Sequence, residues 1–451
     1  MSGDGRPAPV DTIVALASGS PPAAIAVIRV SGPASAAVVT ALAGRLPTPR
    51  RASLATLADP GSGEALDRGI VLWLPGPGSP TGEDVAEFHV HGGRAVIAAV
   101  LAALTAMPGM RLAEPGEFTR RAFLAGRMDL AAVEGLADLV AAETAAQRRQ
   151  ALAQAEGVLG ARVGGWRERI VAARALAEAS LDFADEDDVA ADAIGQARAL
   201  AADLRGELAA ALADSAGGER LRDGFHVVVL GPPNAGKSSL VNALARRDVA
   251  IVTAEPGTTR DLIEVHLDLG GYPVTVTDTA GLRDGAGAVE REGIRRARAR
   301  AEDAGLVLWL SPADDPVAPP DDLPPVRLRR VLTKVDLQGG GEGAPVAGGA
   351  DAPIAISVHT GSGLAELVGH IAEAAAASLA AGEQAVLVRA RHRAAAAAAL
   401  AALDRATGEA TAPELAAEDL RLAGDALGRI VGAVGVEDVL DRIFSSFCIG
   451  K

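Results

Sequence analysis

Apolar positions along this chain change their period three times, and each change marks a boundary. Near the N-terminus they alternate or run in short blocks, as strands do. Thr12–Leu16 and Ala24–Gly32 read as two strands separated by a Ser/Gly/Pro turn, Gly69–Leu74 as a third, and Val85–His91 as a half-buried fourth. Arg94–Met107 has helical spacing, so residues 1–120 are expected to form a compact α/β unit. From Phe118 the spacing stays helical through Ala213, interrupted by the acidic run Asp182–Asp188, which reads as a solvated helix junction. After Leu221-Arg222-Asp223-Gly224 the pattern switches to strands and glycine loops and continues to about Leu379, with Pro/Gly-rich surface segments at 312–325 and 338–353. From Gln384 onward it is helical again. Helices, then α/β, then helices is the order expected if 121–222 and 380–451 form one discontinuous helical domain with an α/β domain, 223–379, inserted into it. No internal repeat is visible.

Composition sharpens this picture. A chain of 451 residues corresponds to about three domains at roughly 150 residues each. Its hydrophobic fraction is 49% but its aromatic fraction only 2%, and alanine is abundant, so closely packed helices are expected over much of its length. The formal net charge of −15 repels phosphate backbones, and nucleic-acid contact therefore requires a local basic patch. A single cysteine, Cys448, excludes an intramolecular disulfide and fits a reducing, cytoplasmic setting. The N-terminus lacks a signal-like apolar core, and the alanine runs near 371–381 and 394–402 are short and flanked by charge, so no membrane span is expected.

The chemistry is concentrated in the inserted domain. Gly231-Pro-Pro-Asn234-Ala235-Gly236-Lys237-Ser238-Ser239 follows the apolar run Phe225–Leu230 and precedes the helical Leu240–Ala245. Such a G-x-x-x-x-G-K-S loop turns successive N–H groups inward on phosphates, lets Lys237 reach the β- and γ-phosphates, and offers Ser238 to magnesium. Only three of the 43 Lys and Arg are lysine, namely Lys237, Lys334 and Lys451, and two of these fall in nucleotide motifs. Asp278-Thr279-Ala280-Gly281 ends the strand 274–277, placing Asp278 near magnesium through water and the Gly281 N–H near a γ-phosphate. Thr259, in Gly257-Thr258-Thr259-Arg260-Asp261, offers the second hydroxyl to that metal. Thr333-Lys334-Val335-Asp336 closes the strand 330–332. Asp336 there can accept both N1–H and N2–H of guanine, so GTP is the expected nucleotide, and Ile356-Ser357-Val358 fits the remaining base-contacting loop. Two residues depart from the usual motifs: Thr333 stands for Asn in N-K-x-D, and His359 follows Ser357-Val358 where Ala and a basic residue are usual. Both are expected to loosen base affinity without changing base identity.

How the γ-phosphate is cleaved is less direct. Leu282 follows the D-T-A-G motif where small GTPases often carry a water-orienting glutamine, so another group must supply that help. Asn234, one of only two asparagines, could help hold a monovalent cation against the phosphates. Glu290 is a candidate water-orienting acid, its alternative being an exposed helix carboxylate.

With these motifs in place the chain resembles, over nearly its whole length, the MnmE (TrmE) family of tRNA modification GTPases. The residues that carry the likeness are Ile28-Arg29-Val30-Ser31-Gly32, Thr81-Gly82-Glu83-Asp84-Val85, His91-Gly92-Gly93, 114–124, Asp129-Leu130, and the terminal Arg442–Lys451 with Cys448-Ile449-Gly450-Lys451. The resemblance implies an N-terminal tetrahydrofolate-binding and dimerisation domain, a discontinuous helical domain, and an inserted Ras-like GTPase domain activated by potassium-dependent dimerisation. It also implies an FAD-containing partner, MnmG (GidA), forming a heterotetramer or larger complex, and a tRNA whose wobble uridine receives an aminomethyl-type group at C5. The one-carbon unit would come from 5,10-methylene- or 5-formyl-tetrahydrofolate. By position, Asn234, Thr253, Glu255 and Thr258 would surround potassium, and Glu290 matches the water-orienting acid. Arg29, Glu87, Arg127 and Lys451 match folate-contacting positions. An Arg can fork onto a carboxylate and a Glu can pair with pterin N–H groups. Arg127 stands where many relatives carry Lys, and Ser18–Pro22 replaces the usual glycine-rich turn.

Three alternatives stay open at this level. Cys448 is either a reactive thiol or a small buried residue near the terminus. His89 and His91 share a strand face but lack a third ligand at suitable spacing, so packing and hydrogen bonding are the expected roles. The same GTPase motifs also serve ribosome-assembly or RNA-binding switches without folate chemistry, and a folate-dependent aminomethyl transferase with a regulatory GTPase is a third reading.

Overall fold

The computed structural model describes residues 11–182, 187–247, 249–251, 264–278, 304–321, 323, 327–338, 352–408, 410–434, 440, 443–445, 447 and 449–450. Their contacts divide the chain into two units, Met1–Ala137 with Gly428–Lys451, and Asp138–Leu427.

The first unit is built on a six-stranded sheet ordered β3-β4-β5-β2-β1-β6. Its strands are β1 (Thr12–Leu16), β2 (Ala23–Ser31), β3 (Ser53–Ala58), β4 (Ala65–Leu74), β5 (Val85–Gly92) and β6 (Met110–Leu112). Neighbours are antiparallel except β1 and β6. Helices α1 (Ser35–Ala43) and α2 (Arg94–Thr105) cover one face, where Val38, Leu42, Val100 and Leu104 pack on Ile28, Val30, Phe88 and Val90. Strand side chains alternate between faces, so burying Ile28 and Val30 on this side turns Val27 and Arg29 to the other. There Arg29 lies opposite Glu87, and Val27 opposite His89. Helices α3 (Glu117–Leu124) and α4 (Leu130–Ala141) follow, and Leu130 and Val133 bury against Phe444 and Phe447 near the C-terminus.

Neither α1 nor β3 is evident in the sequence pattern. Helix α1 follows Gly32-Pro33, has no side-chain cap on its N-cap Ala34, and carries Val38-Val39-Thr40, which favours a strand. Burial of Val38, Val39 and Leu42 against the sheet overrides that local preference.

The second unit holds long helices and a second sheet. Helices α5 (Ala145–Ala155), α6 (Val158–Asp182) and α7 (Asp187–Asp223) precede the sheet. Helices α6 and α7 pack against one another, and Trp166, Ile170 and Ala173 of the first and Leu204 and Leu208 of the second are buried. Trp166 donates to Glu207 at 3.2 Å and Arg169 pairs with the same carboxylate at 2.5 Å. The second sheet is ordered β12-β11-β10-β7-β9-β8 and parallel except for β8 against β9. Its strands are β7 (Phe225–Leu230), β8 (Glu264–Leu269), β9 (Tyr272–Asp278), β10 (Leu306–Pro312), β11 (Leu328–Thr333) and β12 (Ile354–Ala355). Helices α8 (Lys237–Ala245) and α9 (Leu364–Leu379) flank it, and α10 (Ala390–Ala406) and α11 (Pro413–Val431) follow. Among those residues one stretch, Leu364–Gln384, is long and apolar enough to cross a membrane. Its Leu364, Leu367, Ile371 and Leu379 are buried in the core of this sheet.

Candidate functional site: a nucleotide pocket and an arginine–glutamate pair

Strand β7 delivers the chain to the phosphate loop, and α8 starts at Lys237, directly after it. The open N–H groups of the first turn of α8 and its dipole make this an anion seat. Lys237 Nζ arches back to donate to the carbonyls of Gly231 and Pro232 at 3.0 and 2.9 Å. Burial is the main influence on this ammonium and lowers its pKa, while the charge of Asp278 opposes that shift. Ser238 Oγ donates to Asp278 Oδ2 at 2.5 Å, and Asp278 is fully buried at the end of β9. A hydroxyl and a carboxylate converging on one point form a hard-oxygen set suited to magnesium. Asn234 sits exposed at the loop's turn with φ 59°, a left-handed conformation that Asn tolerates better than most residues. Ala235 is buried and Ser239 is exposed on α8.

The base-reading loops lie at the ends of β11 and β12. Thr333 is buried and its hydroxyl donates to the carbonyl of Ala235 in the phosphate loop at 2.8 Å. Lys334 takes a left-handed φ of 59°, and Asp336 follows on an exposed turn. A hydrogen bond from the Ser357 side chain, aided by the nearby His359, holds the Asp336 carboxyl below its ordinary pKa. An ionised, outward-facing carboxylate is the acceptor that guanine N1–H and N2–H require. Ser357 is itself buried, and its Oγ accepts from the Thr360 amide at 3.1 Å. Val358 is half-buried and His359 exposed. Thr253, Glu255, Thr258, Thr259, Thr279, Ala280, Gly281, Glu290, Cys448 and Lys451 lie outside the described residues.

On the face of the first sheet opposite α1 and α2, Arg29 Nε and Nη2 both reach Glu87 Oε1, at 3.0 and 2.9 Å. The other carboxylate oxygen, Oε2, lies 3.2 Å from His89 Nε2. The Arg29 guanidinium stands 5.8 Å from the centre of the Phe118 ring, which packs with Ile13 and Ala15 of β1. His91 turns instead to Asp67, with its Nδ1 at 2.8 Å from Oδ1 and its amide donating to Oδ2. The two histidines thus serve different carboxylates. Arg127 is exposed, with its stem beside Gly82. Ile449 forms a bridge with Pro115, so the C-terminal tail runs beside the residues leading into α3.

A web of ions, not evident from the sequence, lies next to this pair. Glu117 accepts from Arg111 and Arg121, and Arg121, only 4% exposed, also pairs with Glu83 and Asp11. Glu83 in turn accepts from Ser31, two residues beyond Arg29 on the same strand. Its one sequence signal is the acid and base spaced i, i+4 at 117 and 121.

A phosphate loop closing β7 onto α8, a Ser–Asp metal pair and an outward carboxylate beside a buried serine loop define a P-loop GTPase that binds GTP with magnesium. Its sheet is set between α-helices in a chain that also carries a second α/β sheet. The family model for the MnmE helical domain matches residues 130–448, and that for the N-terminus of the GTP-binding protein TrmE matches residues 12–127. A tRNA modification GTPase MnmE from Methylobacterium sp. (strain 4-46) is 56% identical, covering 98% of this chain and all of its own length. One from Azorhizobium caulinodans is 54% identical over 98% of this chain and 99% of its own. Among solved structures, Aquifex aeolicus Era bound to GDP·AlF4− is 23% identical over 34% of this chain and 56% of its own, with a TM-score of 0.26. The chain therefore belongs to the MnmE (TrmE) family of tRNA modification GTPases. It is a GTP hydrolase acting in tRNA modification.

Proposed function

We propose that this GTPase is activated by potassium when two copies pair. With an FAD-containing partner of the MnmG (GidA) type, it then installs an aminomethyl-type group at C5 of the wobble uridine of certain tRNAs in the cytoplasm. The observation that carries the one-carbon half of this reading is Arg29, held by Glu87 and lying over Phe118, with both side chains of the pair partly exposed. Such a pair presents a forked cation to a ligand carboxylate and a carboxylate to pterin N–H groups, which suits a reduced folate. Tetrahydrofolate would supply the one-carbon unit, with Arg127 and Lys451 completing its contacts. Residues 1–120 form the folate-binding and dimerisation domain in this reading, 121–222 and 380–451 the helical domain, and 223–379 the GTPase domain.

In the nucleotide site, Lys237 and the α8 N-terminus hold the β- and γ-phosphates, Ser238 and Thr259 ligate magnesium, and Asp278 orients it through water. Thr279 and Ala280 carry the chain to Gly281, whose N–H meets the γ-phosphate, while Glu290 orients the attacking water. Asn234, with Thr253, Glu255 and Thr258, holds potassium, which supplies the positive charge an arginine finger gives elsewhere. Asp336, Ser357, Val358 and His359 enclose the guanine, and Cys448 is assigned a reactive thiol.

Isothermal calorimetry of the full-length chain with 5-formyl-tetrahydrofolate tests the folate assignment. Wild type should release heat and Arg29→Ala should not. No heat from wild type would instead favour a switch GTPase whose flanking domains bind only RNA or protein.

A further inference from the structure

The GTPase sheet joins the helices at two crossings. The chain leaves α7 at Asp223 to enter β7, and it returns from α9 through the short turn Ala380–Gln384. Helix α5 lies against both crossings. Three of the chain's six glutamines, Gln147, Gln150 and Gln154, fall on this one short helix at i, i+3 and i+7, which places them on one face. Gln147 Nε2 donates to the Arg222 carbonyl at 3.0 Å. Gln150 Nε2 donates to the carbonyls of both Gly218 and Gly382, at 3.1 and 3.2 Å, and so ties the outgoing chain to the returning one. Gln154 Nε2 donates to Val386 at 2.9 Å. At this point the two crossings touch backbone to backbone, since a Cβ on Gly382 would stand 2.2 Å from the Gly217 carbonyl oxygen.

The N-terminus of the same helix is stitched to the β8–β9 hairpin. The Ala146 amide belongs to the first turn, whose N–H groups have no partner within their own helix. It donates to the Gly271 carbonyl in the hairpin turn at 3.0 Å, and the Ala146 side chain is buried with the core of the GTPase sheet. Glu143 stands 3.4 Å from His266 of β8. Arg149 pairs with Glu383 at 3.2 Å, and the other oxygen of Glu383 accepts from the Tyr272 hydroxyl at 2.8 Å. Tyr272 opens β9 and Asp278 closes it, so about 20 Å of strand separates the metal pair from this junction. Between β7 and β8 that strand is hydrogen-bonded on both sides. Displacement at one end is therefore delivered to the other.

We propose that α5 is the bar that passes the nucleotide state from Asp278 to the helices, with Tyr272, Glu383 and Gln150 as its positioning residues. Among the described residues none of these touches the nucleotide motifs; they act through β9 and through the two crossings. This assignment rests on the tRNA modification GTPase activity and is independent of the potassium and folate readings. A passive brace would have the same contacts but would not change with the nucleotide.

Hydrogen exchange of the full-length protein, followed through α5 with GDP and with a non-hydrolysable GTP analogue, separates the two. Exchange in 145–150 should differ about fivefold between the nucleotide states. That difference should vanish when Tyr272→Phe is combined with Glu383→Gln. The same double variant should hydrolyse GTP within about twofold of wild type, while tRNA modification in cells carrying it falls about fivefold or more. Gln150→Met, which keeps length and removes the donor, should separate the two activities in the same way. Identical α5 exchange in both nucleotide states of wild type overturns the proposal and does not depend on any variant folding. Loss of hydrolysis and modification in equal proportion in folded variants, shown by an unchanged thermal midpoint, also overturns it.

Discussion

Thr333 Oγ1 and the carbonyl of Ala235 share a buried hydrogen bond of 2.8 Å, so the strand end that leads to the base-reading Asp336 is tied to the loop that grips phosphate. The oxygen of Ser311 lies farther off, at 3.4 Å from the same hydroxyl. Thr stands here where Asn is usual in N-K-x-D, yet its shorter side chain reaches the phosphate loop. Thr333→Val keeps the volume and removes the donor, leaving a buried carbonyl that costs about 1–3 kcal/mol when unpaired. Titration with a fluorescent GDP analogue should show affinity lowered by roughly tenfold, with Thr333→Ser close to wild type. Equal affinity in Thr333→Val and wild type would mean that the two loops hold their positions independently.

Asn234 offers a cleaner substitution than alanine. Because its φ is 59°, alanine would add backbone strain of about 1–2 kcal/mol to the loss of the amide, whereas glycine adopts this conformation freely. Asn234→Gly should therefore abolish the difference in GTP turnover between potassium and sodium buffers, with GDP affinity kept within about threefold. Persistent potassium stimulation in this variant would remove Asn234 from the cation site.

The legible parts of this molecule are those whose chemistry must be local. Gly231–Ser239 is readable because one loop has to carry glycine, lysine and serine together for its backbone to cradle a phosphate. Strands β7 and β5 are readable because their apolar pattern matches their burial. The pairing of Arg29 with Glu87, 58 residues apart, depends on strand register; family likeness matches each to a folate-contacting position without pairing them. The web of Arg111, Glu117 and Arg121 and the glutamine face of α5 show in the sequence only as spacings, 117 to 121 and 147 to 150 to 154, with nothing to say what they bind. Their partners are distant carboxylates and backbone carbonyls, and backbone carbonyls carry no residue identity to match.

Glu117 makes the first unit sensitive to acid. Burial is the largest influence and would raise its pKa, but hydrogen bonds from Arg111, the Glu114 amide and Arg121, with the Arg111 charge, outweigh it and hold the carboxyl below its usual 4.5. Asp11, bound to the same two arginines against a similar burial effect, is also lowered. In a folded state that binds these protons less readily than the unfolded chain, stability is complete above about pH 4.5 and lost as pH falls through the lower folded values. Thermal midpoints measured from pH 7 down to 3 should fall on the acid side. Glu117→Gln should be less stable at pH 7 by about 1–3 kcal/mol, because Arg111 and Arg121 lose a charged partner, and its acid decline should be shallower. An identical acid slope in the variant would place the acid sensitivity elsewhere.

Gly363 and Gly361 permit a controlled comparison beside the guanine loop. Both have left-handed φ, 72° and 82°, and either one replaced by alanine pays the same conformational cost of about 1–2 kcal/mol. Their surroundings differ. A Cβ at 361 meets nothing within 4 Å, whereas one at 363 would stand 1.9 Å from the Ala355 carbonyl oxygen and 3.2 Å from the Ile356 Cα. Both neighbours are backbone, and neither can yield without moving β12, whose residue Ala355 pairs with Leu332 next to Thr333. Ser357 follows on the same segment, and its amide donates to the Ser362 carbonyl, so displacement also loosens the loop that orients Asp336. Gly363→Ala should thus be destabilised beyond Gly361→Ala by about 2 kcal/mol or more in chemical denaturation and should bind GDP at least about tenfold more weakly. If the two variants unfold at the same denaturant concentration, φ strain alone governs this turn and the close approach to Ala355 is not fixed in solution.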